Sequence, residues 1–230
     1  MNRPSVAVGL VVALMLFSAR FSGGNEKALP PDAGISDEEL GNLGTKMVPT
    51  LIERLGDPGN EKYFEGLVHR LNIAALESGP DQRIQHAFES FVETNAKRKE
   101  VPFSTEMAMY HALRAMGYVG GDAGVDYLID WVQAGHVKKV KTHAKKGTVS
   151  MTASELRDAA VLGLGFSGRP KARKFLEEQS ETKPNVPYMG GFQGAVKDAL
   201  KYSKEVEKSG AKEFLLPKLK GPDKKQPKKR

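Results

Sequence analysis

Three stretches of the chain carry residues whose types and spacing could do chemistry. The first is GLGFSG at 163–168, which matches G-x-G-x-x-G. In a dinucleotide-binding unit those glycines bring a helix N-terminus onto a pyrophosphate, which needs a strand before them and a βαβ run after them. Here Leu156, Ala159, Ala160, Gly163 and Leu164 keep helical spacing instead, so Gly165 and Gly168 read as turn glycines and no cofactor is expected. The second stretch, 133–150, crowds His136, Lys138, Lys139, Lys141, His143, Lys145 and Lys146 into a connection longer than most helix–helix links. Its five lysines suit an anion-binding lobe for phosphate or carboxylate groups; the alternative is a solvated insertion. His136 and His143 have no cysteine or adjacent carboxylate to complete a metal site, so no metal is expected. The third stretch, 218–230, is lysine-rich and broken by proline, either a tether to an anionic surface or a solubilising tail.

Acid–base and nucleophilic chemistry find less material. His69, His86 and His111 lie in helical patterns with no Ser, Cys or Asp at a recognisable spacing, and Glu38/Glu39 and Glu177/Glu178 read as helix-start or solvated carboxylates. No catalytic residue is therefore nominated. Tyr118, Tyr127, Trp131 and Phe166 cluster near two glycine-rich turns. They are the candidates for a partner-binding patch, with core or turn packing as the alternative.

The elements that must position these residues follow from composition and periodicity. The 230-residue chain is long enough for one domain with a sizeable core. Its net charge of +7 is concentrated: 209–230 carries eight Lys/Arg against Glu213 and Asp223, and 137–147 adds five lysines with no acid. The remainder is slightly acidic, which argues against a broad nucleic-acid footprint. Arg3, the apolar run at 6–17 and the small residues after it fit an export signal over 1–22, cleaved or retained as an anchor. A polar linker covers 23–44. The expected location is extracytoplasmic, periplasmic or secreted. With no cysteine there is neither a disulfide framework nor a thiolate site.

An apolar stripe then recurs. Val48, Leu51, Ile52 and Leu55 sit at i, i+3, i+4, i+7; so do Ile84, Ala87, Phe88 and Phe91, and Val125, Leu128, Ile129 and Val132, while Ala172, Phe175 and Leu176 begin a fourth. Their starts lie 36, 41 and 47 residues apart, the range of helical repeats. Before the last three stripes comes a glycine turn, and before that another amphipathic stretch. Gly117/Gly165 and Tyr118/Phe166 are 48 apart, and Gly121/Gly168 and Val125/Ala172 are 47 apart. Phe192, Ala195, Val196, Ala199 and Leu200 begin a terminal unit.

The motifs VPTLIERLGDP (48–58), GDAGVDYLIDW (121–131) and AAVLGLGFSGRPKARKFLEE (159–178) resemble the HEAT-like helical repeats, in the short bacterial, PBS-lyase-type form with a turn between two antiparallel helices. That resemblance implies an all-α α-solenoid, an α-α superhelix of about four antiparallel helix pairs spanning 45–208, with a basic loop at 134–150 and a disordered basic tail at 209–230. It implies a non-enzymatic scaffold that binds a protein partner. The alternative is a binder of an anionic polymer or envelope surface through Lys138, Lys139, Lys141, Lys145, Lys146 and the tail, whose binding would fall steeply with salt.

Overall fold

Where the stripes recur at helical spacing, the chain is helical. The structure, a computed structural model, describes residues 44–98, 101–133, 153–181 and 190–220. Among them there are nine α-helices and no strand, so the all-α class holds. They are α1 Val48–Gly56, α2 Phe64–Ser78, α3 Gln82–Ala96, α4 Phe103–Val119, α5 Gly121–Gln133, α6 Ala153–Phe166, α7 Pro170–Glu181, α8 Gly190–Ser209 and α9 Ala211–Lys220. The expected export signal over 1–22 and the five-lysine stretch lie outside the described residues.

Local signals set the boundaries. The Asp81 carboxylate accepts the Arg83 N–H at 2.9 Å and caps α3. Gly79 (φ 91°) ends α2, and Gly168 (φ 59°) takes the left-handed conformation after α6, where a side chain would be strained. Beside it the Ser167 hydroxyl donates to the Leu164 carbonyl at 2.7 Å and accepts the Arg169 N–H at 3.2 Å. Pro170 then starts α7, where its missing N–H costs nothing.

The even-numbered helices α2, α4, α6 and α8 pack side by side in chain order. Against one side of this row, α1 packs on α2 and α3, α3 on α4, α5 on α4 and α6, and α7 on α6 and α8. The stripes point between the two sets: Val48, Leu51, Leu55, Ile84, Phe88, Val125, Leu128, Ala172 and Leu176 are all buried in one core with Leu71, Leu113, Met116, Leu156 and Leu164. Neither set buries its apolar face without the other.

Two expectations change. Gly117 and Gly165, expected in turns, lie inside helices, since α4 and α6 continue past both. The reason is helix–helix approach. A Cβ on Gly117 would stand 2.0 Å from the Gly163 carbonyl oxygen, one on Gly163 2.5 Å from that of Leu113, and one on Gly165 2.5 Å from that of Ala199. The G-x-G-x-x-G match is thus accounted for by two helical glycines that seat α6 against its neighbours and one left-handed turn glycine. The second change concerns the tail. Residues 211–220, inside the stretch expected to be disordered, form α9, which packs on α2 and α8. Its Leu215 is buried with Leu76 and Phe166 in a second apolar cluster that also takes up Tyr118, Leu162, Tyr202, Phe214, Leu216 and Leu219. The lysine-rich average of the tail concealed these apolar residues at its start.

Candidate functional site

The four aromatic candidates divide between the two clusters. Trp131, 2% exposed, is buried in the main core, and half-buried Tyr127 packs against it. Phe166, 4% exposed, belongs to the second cluster, and Tyr118 touches both. All four act as packing rings around the turns and share no exposed patch. Lys138, Lys139, Lys141, Lys145 and Lys146 lie outside the described residues.

A different group of side chains converges where α4, α6, α8 and α9 meet. Arg114 interrupts an apolar helix and lies four residues from both Tyr110 and Tyr118. Side chains at that spacing share a helix face. Its guanidinium carbon stands 5.4 Å from the Tyr110 ring centroid and 5.1 Å from that of Phe166 on α6. The rings continue: Phe166 to Tyr202 of α8 at 5.2 Å, and Tyr202 to Phe214 of α9 at 5.9 Å. Over Phe214 sits the Lys218 ammonium, 2.9 Å from the centroid. Two cations and four rings from four helices therefore form one continuous group.

Its electrostatics are those of a partly desolvated cation pair. Burial pushes the Lys218 ammonium down, the Glu205 carboxylate opposes this, and the Arg114 charge adds to it. Tyr118 is held neutral by burial, against the pull of Arg114, and Tyr202 is raised by burial and by Asp198. The Nε of Arg114 is buried without a hydrogen-bond partner among the described residues. Other cations do hold ion pairs elsewhere on the helices, among them Arg98 with Glu61, Arg169 with Asp122, Arg173 with Glu177 and Glu207, and Lys220 with Glu77. Arg114 has no role in the sequence reading, and Lys218 enters it only as the first residue of the lysine-rich stretch 218–230. The available signal was a lone arginine in the run YHALRAMGY at 110–118, flanked by tyrosines at i−4 and i+4.

Further titratable groups lie on the same row. His111 is pushed down to about 3, chiefly by burial and then by the Arg114 and His69 charges, so its imidazole is neutral. The Glu65 carboxylate, 4.0 Å from its Nε2, is itself raised by burial. On α6, burial pushes Asp158 up to about 6 although Arg157 lies 3.6 Å away, and the Arg157 guanidinium rests over the Phe192 ring at 4.4 Å. Among the described residues no group of three or more His, Cys, Asp or Glu could hold a metal ion. None of their helices is long and apolar enough to cross a membrane. Comparison with protein-family models, with curated proteins and with solved structures finds no match in any of the three.

Proposed function

We propose that the chain is an exported, non-enzymatic binding protein whose helix pairs stack as a HEAT-like array and whose even-numbered row offers a surface to a protein partner. One observation carries the reading: successive turns are tied to one another along a single edge. The Asp81 N–H donates to the Val119 carbonyl at 2.9 Å, Arg169 donates to Asp122 at 3.0 Å, and Arg173 to Glu207 at 2.9 Å. Units that repeat this linkage build a row of stacked helix pairs, and such rows bind partners along their face. The same row carries Tyr110, Arg114 and Tyr202, an aromatic and arginine composition typical of residues that dominate interfaces.

The test is crosslinking capture from the extracytoplasmic fraction of the native cell, with three baits starting at residue 23. They are the unaltered chain, a variant with Lys138, Lys139, Lys141, Lys145 and Lys146 changed to Gln, and Tyr110→Ala. The expected result is one protein held at moderate salt by the first two baits and lost from the third. It should then bind the purified chain one to one. Capture that vanishes with the five lysines and with salt supports the anionic-polymer alternative instead.

A further inference from the structure

Half-buried cations normally end in carboxylates, because an unpaired buried charge is costly. Among the described residues half-buried Arg114 departs from that rule, while Lys218 stands exposed over its ring with the Glu205 charge acting on it. Each lies against aromatic faces, which hold a cation in place without neutralising it. Arg114 comes from α4 and Lys218 from α9, so their meeting is made by the packing of α9 and not by a local basic run. The Phe166–Tyr202–Phe214 ring chain holds both in register.

We propose that Arg114 and Lys218 form a binding site for a carboxylate presented by a peptide segment, an acidic side chain or a free C-terminus of the protein partner. This deepens the binding-protein reading above and rests on it. With its Nε buried, Arg114 is left its Nη groups to meet the ligand, the fork that suits a planar carboxylate. Lys218 supplies a second, point-like charge, and the Tyr110 and Tyr202 rings flank the ligand's apolar stem. The nearby carboxylates Asp198 and Glu205 lower the site's net charge. A singly charged carboxylate fits that balance better than a phosphate dianion, which two anionic neighbours repel.

The experiment uses the chain from residue 23, labelled with 15N, and follows the Arg114 Nε–H resonance, which burial protects from exchange. The probes are N-acetylated diglutamate, its uncharged diglutamine amide and inorganic phosphate. Diglutamate is expected to give a saturable shift. Diglutamine amide should give none, and phosphate should bind at least fivefold more weakly. Arg114→Gln removes the reporter, so its affinity is read from the ring resonances of Tyr202, and it should fall at least tenfold. Lys218→Met keeps the reporter and leaves α4 untouched; it should weaken binding about three- to tenfold with an unchanged melting temperature. No saturation with diglutamate, equal affinity of Lys218→Met, or tighter binding of phosphate overturns the proposal. The two readings fail separately. If the captured partner binds Arg114→Gln normally, the carboxylate site is wrong and the binding function stands. If diglutamate binds but no partner is captured, the reverse holds.

Discussion

At the scale of single residues, burial has set several charges against their surroundings. His111 is neutral in the fold, with its pKa lowered from 6.5 to about 3. The unfolded chain therefore binds the extra proton as pH falls below 6.5, and stability is lost in that direction by up to about 1.4 kcal/mol per pH unit. Asp158 acts oppositely. Its pKa rises from 3.8 to about 6, so the fold binds the proton more tightly, and stability is lost as pH rises from about 4 to about 6. Between those limits the two slopes oppose each other. Urea unfolding at pH 4, 5, 6 and 7 separates them: His111→Gln should lose stability on acidification less than the unaltered chain, and Asp158→Asn should lose it more. Parallel pH profiles for all three proteins would show that neither group carries the coupling.

At the scale of elements, glycine does opposite things at different places. Within α6, Gly163 faces the Leu113 and Arg114 carbonyls of α4 and a methyl of Leu128. Gly66 in α2 is exposed, and a Cβ there would meet nothing within 4 Å. Alanine at either position gains about 1 kcal/mol of helix propensity. At Gly163 that gain is outweighed, because rigid backbone cannot yield and α4 and α6 must separate, a cost of about 1–3 kcal/mol or more. Gly163→Ala should therefore be less stable by about 2 kcal/mol in denaturant unfolding and Gly66→Ala more stable by about 0.5–1 kcal/mol. Stabilisation by both would mean that α4 and α6 lie farther apart than described.

At the scale of the whole molecule, α9 is the element that joins the ends of the row. It runs from α8 back to α2, where Lys220 pairs with Glu77 at 2.6 Å and Leu215 meets Leu76. The exposed ion pair contributes at most about 1 kcal/mol, so the apolar contact decides whether α9 stays docked. Leu215→Ala should cost about 2–3 kcal/mol and lower the melting temperature by about 5–10 °C. Lys220→Gln should move it by about 3 °C at most. Because α9 also delivers Lys218, Leu215→Ala should weaken diglutamate binding in step with undocking, whereas Lys220→Gln should leave it unchanged. Circular dichroism melts and the probe titration check both outcomes.

The all-α class and the buried face of each element could be read from the chain alone. Val48 and Leu51, Ile84 and Phe88, Val125 and Leu128, and Ala172 and Leu176 stand three or four residues apart, and that spacing dictates one apolar side per helix whatever lies opposite. The turns at Asp81 and Gly168 were equally legible, because a cap and a positive φ are local requirements. What stayed hidden depends on partners distant in the chain. Gly117 and Gly165 look like breakers in one dimension, and only the approach of another backbone shows why a helix keeps them. Phe214, Leu215 and Leu219 are too few to announce a helix in a lysine-rich tail, and they form one because Leu76 and Phe166 await them. Arg114 and Lys218 stand 104 positions apart in the sequence, so no spacing rule connects them. Only the docking of α9 onto the row brings the two charges together, since tertiary packing alone makes neighbours of residues that the chain keeps far apart.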